Sequence, residues 1–251
     1  MKAKDRIIVA LDVDTLEKAL KLVKELKDYM GCFKIGLQFI TAMLRSIIIP
    51  TTGREVTLIQ MLFNELDGNI MWDGKFDDIP NTVGGASQEV VKIGVKMFNL
   101  HASAGSEAIA KAVENKGDVL VLGVTVLTSI DEDECVSIFG AKPEKKVVQF
   151  AEMLNQQGAD GIICSPQELE LLGKYHRFDG LLKVIPGIRP KWAQTGDQKR
   201  VMTPYEAIKA GADYLVIGRP ITQPPEEIGS SVDAAKKIAE EIEQALNEKG
   251  D

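Results

Sequence analysis

The stretch Arg6-Ile7-Ile8-Val9-Ala10-Leu11-Asp12-Val13, followed at once by Asp14-Thr15-Leu16-Glu17, decides the fold. Its apolar run is almost unbroken, which suits a parallel strand covered on both faces. The next four residues have the form of a capping box with Asp14 in the cap role. Leu16, Ala19, Leu20, Val23 and Leu26 then follow at helical spacing. A buried strand feeding a capped amphipathic helix is one βα unit.

The unit recurs along the chain. Residues 32–37 read as a second strand with Lys34 inside it, and residues 39–49 as an apolar helix. Thr52-Gly53-Arg54-Glu55 reads as a better capping box, opening a helix with Val56, Ile59, Leu62, Phe63 and Leu66 on one face. Asn69-Ile70-Met71-Trp72 starts a third strand that runs into Asp73-Gly74-Lys75, with a helix over 81–94. Residues 97–102 and 119–126 give strands four and five, with a helix over 105–115 between them. An acidic loop over 131–134 precedes a helix around 143–157. Strand six is 161–166 with a helix over 167–175, and strand seven is 182–188, followed by a polar loop over 189–202. Thr203-Pro204-Tyr205-Glu206 restarts a helix with Pro at its first position, 214–219 is strand eight, and 231–247 is a last amphipathic helix. Eight strands alternating with helices point to an α/β fold, a (β/α)8 (TIM) barrel forming a single domain over residues 1–251. A doubly wound open sheet is the alternative, but no Gly-rich turn follows strand one.

The net charge of −7 argues against a general nucleic-acid or membrane-surface binder, while leaving room for a small anionic ligand at a local cationic cluster. Cys32, Cys135 and Cys164 have no paired or metal-ligand spacing, as expected of free thiols in a reducing cytoplasm. Two histidines, His101 and His176, leave little for a zinc site or a Ser-His-Asp triad. No apolar run approaches membrane-spanning length and no signal peptide is evident.

In such a barrel, chemistry sits at the carboxyl ends of the strands. Asp12, Lys34, Asp73, Lys75, Thr128, Ser165 and Arg219 all fall there. Any one of them alone reads equally well as a solvated loop residue. Asp73 and Lys75, two apart on a strand, would share a face. Together with Asp12 and Lys34 they would meet in the mouth, and the alternating signs would keep the lysines protonated and Asp73 ionised. Asp78 lies five residues from Asp73, on the opposite face of an unbroken strand, and Pro80 places it in a turn instead. A second cluster, Gly218-Arg219 opposite the loop carrying Arg189 and Gln198, fits a phosphate, with Gly218 permitting close backbone approach. The other reading of Gly218 is a glycine required only by the turn. His101 reads as a structural histidine rather than a catalytic one, and Cys164 and Trp192 as packing or loop residues.

Several strings are recognisable together. Val9-Ala10-Leu11-Asp12, Phe33-Lys34-Ile35-Gly36, Asp73-Gly74-Lys75 with Asp78-Ile79-Pro80-Asn81-Thr82-Val83, and Val124-Thr125-Val126-Leu127-Thr128-Ser129 resemble the orotidine 5′-monophosphate decarboxylase family, bacterial type. Pro186-Gly187-Ile188-Arg189-Pro190, Asp197-Gln198 and Val216-Ile217-Gly218-Arg219 do so too, in the family's order from about residue 6 to 222. Two departures stand out. Gly74 replaces a bulky apolar residue usual in the family, and the segment between Lys34 and Asp73 looks about a dozen residues longer than in typical bacterial members.

The resemblance implies decarboxylation of orotidine 5′-monophosphate to uridine 5′-monophosphate, the last step of de novo pyrimidine nucleotide synthesis, with no metal or organic cofactor. It implies Lys75 as proton donor to C6, Asp73 against the leaving carboxylate, and Lys34 and Asp78 completing the catalytic set. Asp12 and Lys34 would hold ribose hydroxyls, Thr128 would contact the pyrimidine, and Arg189 would shape its loop. Gln198, Gly218 and Arg219 would grip the phosphate. It also implies a homodimer in which Asp78 and Thr82 reach the partner's site. Two rivals remain: a Mg²⁺-dependent sugar-phosphate decarboxylase or synthase on the same barrel, and a non-catalytic phosphate-ligand binding barrel.

Overall fold

The computed structural model describes residues 1–193 and 201–248. Its elements run β1 (Ile7–Ala10), α1 (Leu16–Leu26), β2 (Cys32–Gly36), α2 (Leu37–Ile48), α3 (Glu55–Leu66), β3 (Ile70–Phe76), α4 (Pro80–Ile93), β4 (Met97–His101) and α5 (Ser106–Glu114). Then come β5 (Leu120–Val124), α6 (Glu132–Phe139), α7 (Pro143–Gln156), β6 (Gly161–Ile163), α8 (Leu169–Gly173), β7 (Leu182–Ile185), α9 (Pro204–Lys209), β8 (Tyr214–Ile217), α10 (Arg219–Thr222) and α11 (Ser231–Asn247). The strands pair in chain order, all in parallel, and β8 returns to β1 to close the barrel. The open-sheet alternative is thereby excluded.

Strand alternation divides the core into two layers. Ile7, Val9, Phe33, Ile35, Ile70, Phe98 and Leu100 pack outward beneath the helices. Ile8, Ala10, Cys32, Met71, Met97, Leu122, Val184 and Val216 fill the barrel itself. Counting two residues on from Cys32, Met71 and Met97 gives Lys34, Asp73 and Asn99. The apolar plug therefore stops where the polar mouth begins.

Local signals hold with four adjustments. Thr15, not Asp14, caps α1: its Oγ1 accepts from the Lys18 N–H at 3.3 Å, while Asp14 pairs with Lys18 Nζ at 2.8 Å. The box at Thr52 forms only by half. The Glu55 carboxylate accepts from the Thr51 and Thr52 N–H groups, both at 2.8 Å, but Thr52 Oγ1 takes the Arg54 N–H and leaves the helix start without a side-chain cap. Val56, assigned to the packed face of α3, is exposed; the buried apolar residues of that helix are Leu62 and Leu66. The acidic stretch after β5 is helix α6 rather than loop. Asp131 Oδ1 accepts from the Glu134 N–H at 3.0 Å, and acids in a first turn favour the helix dipole.

The long segment between β2 and β3 folds as α2 and α3. Among the described residues no helix is long and apolar enough to cross a membrane.

Candidate active site

The first three strands bring their charges together. Lys34 Nζ lies 3.1 Å from Asp12 Oδ1 and 3.0 Å from Asp73 Oδ2, and Lys75 Nζ lies 2.6 Å from Asp73 Oδ1. Asp73 is buried, Lys34 nearly so, and Asp12 is half exposed at the rim. Burial pushes the Asp73 carboxyl up, but the Lys34 and Lys75 ammonium groups and hydrogen bonds from Lys75 and Asn99 outweigh it and hold it below the usual carboxylate range. Burial pulls the Lys34 amine down; Asp73 and Asp12 outweigh that and hold it above its ordinary value. Both residues are thus charged at neutral pH, as the alternating signs require.

Simple strand parity does not explain how Lys75 reaches Asp73. Trp72 pairs with Phe98 and Phe76 with Leu100, so Asp73, Gly74 and Lys75 stand opposite Asn99 alone. This is a bulge, a device that re-aims side chains. Lys75 adopts φ 47°, the left-handed region that L-residues avoid at a cost of roughly 1–2 kcal/mol. The buried Asn99 side chain fills the opening. Its Oδ1 accepts the Lys75 N–H at 2.8 Å, and its Nδ2 donates to Asp73 Oδ1 at 2.6 Å.

Sequence reasoning missed two residues here. Asn99 carries the same signal as Lys34, a polar side chain at an inward position of an apolar strand. Gly36 carries none that a single sequence displays: a Cβ there would lie 2.7 Å from Lys34 Nζ, so its absence makes room for the ammonium. Gly74 also has a spatial reason, since a Cβ there would lie 2.9 Å from Phe76 Cε1 and 3.0 Å from Trp72 Nε1. Aromatic neighbours take the space that a larger residue would need.

The charges open into a cavity of about 500 Å³ that Thr128, Arg189, Gly218 and Arg219 also line. Arg189 is buried, with its NH1 donating to the Ile188 carbonyl at 2.9 Å. Burial, and then the Arg219 guanidinium, push its pKa down. Two cations set to repel each other in one wall make a seat for an anion. Gly218 has a negative φ, and a Cβ would meet Ala10 at an ordinary 3.6 Å. Packing against protein does not demand glycine there, which favours close approach of a ligand. It precedes the short helix α10, the place where barrels of this kind seat phosphate.

Other assigned residues lie apart. Asp78 and Thr82 are exposed and do not line the cavity. Gln198 lies outside the described residues. Ser165 is buried and caps the turn after β6 in a box with Glu168. Cys164 lines the cavity wall, and burial pushes its thiol well up, consistent with packing. Burial, against Asp77, lowers the His101 pKa. Among the described residues no group of three or more His, Cys, Asp or Glu side chains could hold a metal ion.

A closed parallel barrel with reactive charges on one side of its carboxyl-end mouth and an anion seat on the other has the layout of a (β/α)8 enzyme. Comparison with known proteins makes the class specific. The chain belongs to the orotidine 5′-phosphate decarboxylase / HUMPS family, whose model matches residues 5–237. It is 41% identical over 261 residues to the orotidine 5′-phosphate decarboxylase of Heliobacterium modesticaldum, covering 98% of this chain and 99% of the relative. It is 41% identical over 254 residues to that of Moorella thermoacetica, covering 97% and 94%. Among solved structures, orotidine 5′-phosphate decarboxylase from Lactobacillus acidophilus superposes with a TM-score of 0.73 at 29% identity, over 94% of this chain and 98% of that one. The enzyme from Pyrococcus horikoshii OT3 superposes with a TM-score of 0.69 at 26% identity, over 94% and 99%.

Proposed function

We propose that this chain removes CO₂ from C6 of orotidine 5′-monophosphate to give uridine 5′-monophosphate, as the last step of de novo pyrimidine nucleotide synthesis. The observation that carries this reading is the row Lys34–Asp73–Lys75, held at 3.0 and 2.6 Å across the mouth from Arg189 and Arg219. The electron pair left at C6 lies in the ring plane, outside the π system, so fixed electrostatics are the main available lever. Asp73 would stand against the departing carboxylate. Lys75 would stabilise the developing charge and then protonate C6. Lys34 would hold Asp73 in place and, with Asp12, bind ribose hydroxyls. Thr128 would meet the pyrimidine, and Arg189 would shape its loop. Arg219, the Gly218 backbone and Gln198 would grip the phosphate, whose remote binding energy would organise the site.

One barrel domain would suffice for this chemistry, with no metal or organic cofactor, in the cytoplasm. Asp78 and Thr82 would complete the partner's site in a homodimer. Their exposure away from the chain's own cavity, beside an exposed Ile79, supports that reading. The Mg²⁺-dependent rival on the same barrel is less favoured because Lys34 Nζ already occupies the space between the Asp12 and Asp73 carboxylates.

A decarboxylation assay with orotidine 5′-monophosphate, following pyrimidine absorbance in EDTA, tests the proposal. Full activity with EDTA is expected. No turnover, or turnover only with added Mg²⁺, would overturn it.

A further inference from the structure

We infer that Asn99 is a positioning residue whose side-chain amide spans the β3 bulge and sets both members of the Asp73–Lys75 pair. Between Trp72, level with Phe98, and Phe76, level with Leu100, the chain of β3 has three residues where β4 has one. That single residue is Asn99, fully buried. Its carbonyl oxygen takes the Lys75 N–H at 2.8 Å, and its NH₂ group reaches Asp73 Oδ1 at 2.6 Å, the same oxygen that Lys75 Nζ contacts at 2.6 Å. The two bonds run in opposite directions along one planar amide. Only one amide orientation satisfies them, because a flip would set oxygen against carboxylate and NH₂ against N–H.

Lys75 has its backbone in the left-handed region at φ 47°. The Asn99 oxygen is the acceptor that holds that peptide, and without it the loop of three residues is free to relax toward ordinary strand geometry. Relaxation would swing the ammonium away from Asp73. Asn99 therefore acts through the pair and not on substrate. The inference rests on the reading of Lys75 as proton donor, so Lys75→Ala is assayed alongside.

The test compares Asn99→Ala and Asn99→Asp in the full chain, with kcat, KM and uridine 5′-monophosphate affinity measured across pH. Asn99→Ala loses both bonds while leaving the phosphate seat intact. It should lower kcat on the order of tenfold to a hundredfold with KM and nucleotide affinity within about threefold. Asn99→Asp keeps an acceptor for the Lys75 N–H but can donate to Asp73 only when protonated. The groups facing that position are Asp73 and Lys75 of β3, Lys34 of β2 beyond Asp73, and His101 farther along β4. Two carboxyls sharing one proton titrate at raised pH, so kcat for this variant should fall along a new limb as pH rises, a limb absent from Asn99→Ala.

Wild-type kcat in Asn99→Ala, or a pH profile for Asn99→Asp that matches wild type, would overturn the inference. Failure of both variants to fold at any pH would also overturn it, by assigning Asn99 to the strand's architecture alone. If Lys75→Ala keeps its activity, the donor reading fails first. If Lys75→Ala is dead and the Asn99 variants are normal, only the present inference fails.

Discussion

Gly36→Ala adds one methyl group, and the structure says where the cost falls. The new Cβ would lie 2.7 Å from Lys34 Nζ and 3.5 Å from both Asp12 Oδ1 and Asp73 Oδ2. Ordinary contact begins at about 3.5 Å, so the ammonium must retreat by roughly 1 Å. At an effective dielectric of about 20, a unit charge pair at 3.0 Å, the Lys34–Asp73 separation, is worth about 5.5 kcal/mol, and at 4.0 Å about 4.2 kcal/mol. Each carboxylate that loses that ångström thus weakens its pairing by about 1.4 kcal/mol, a factor of about ten. If one partner loses contact, kcat/KM should fall about tenfold; if both do, about a hundredfold. Global stability should fall as well, by about 1–2 kcal/mol once the backbone gain is set against the weakened pairing. Gly36 has φ −99° and ψ 176°, extended backbone that alanine adopts freely, and the substitution itself removes unfolded-state freedom worth about 0.4–1 kcal/mol. Steady-state decarboxylation and a thermal melt decide it together. A variant with kcat/KM within twofold of wild type and an unchanged Tm would refute the steric account.

The other expectations are simpler. Lys75→Ala should abolish turnover and leave the barrel folded by circular dichroism; near-normal kcat would sink the donor assignment. Arg219→Ala should weaken affinity for uridine 5′-monophosphate and raise KM more than it lowers kcat, and unchanged affinity would mean the anion seat is misplaced. Lys34→Met leaves Asp73 buried against one cation instead of two and should lower stability in denaturant melts by less than the roughly 3–5 kcal/mol that a fully unpaired buried charge costs. It should also change the pH response of stability. Asp73 is held below its usual range, so its contribution is present above about pH 4 and lost as pH falls through the folded value; without Lys34 that loss should begin at higher pH. Lys34 is held above its range, so wild-type stability from it is present below about pH 10 and lost as pH rises through the raised value, a loss the variant should lack.

Most of the fold was legible because each βα unit announces itself locally. A strand such as β1, Ile7–Ala10, has to be buried on both faces, and α1 buries the residues its spacing selects: Leu16, Ala19, Leu20, Val23 and Leu26. What misread locally was chemistry shared between adjacent polar residues. Asp14 and Thr15 compete for one cap, and Asp14 finds Lys18 instead. Asp131 to Glu134 looks like solvated charge until one of the four is used as a cap. In the site, Lys34 and Asp73 could be placed from inward parity, and Asn99 obeys the same rule. Asn99 drew no notice because a neutral amide carries no cost as plain as a buried charge. Gly36 is a different case: its role is the absence of atoms beside a side chain two residues back, which only coordinates display.

The pairing of Asp73 with Lys75 is where a correct expectation had an incomplete reason. Alternation on a regular strand would put both side chains inward, but two residues along one edge are about 6.6 Å apart at roughly 3.3 Å per residue. Bringing the ammonium to 2.6 Å from the carboxylate is helped by a departure from the regular strand, and the structure supplies a bulge, a left-handed lysine and an asparagine across it. Local rules favour none of these alone: β3 gives up ladder bonds, Lys75 takes a disfavoured φ, and a polar side chain enters the barrel core. They are stable together because each satisfies another, the Asn99 amide meeting both the freed N–H and the buried carboxylate. Gly74 fits the same logic. At the centre of the bulge a Cβ would press on Phe76 and Trp72, so the missing side chain eases the bend between the two charged residues. A break in the strand pattern whose parts compensate one another is the expected signature of a functional site.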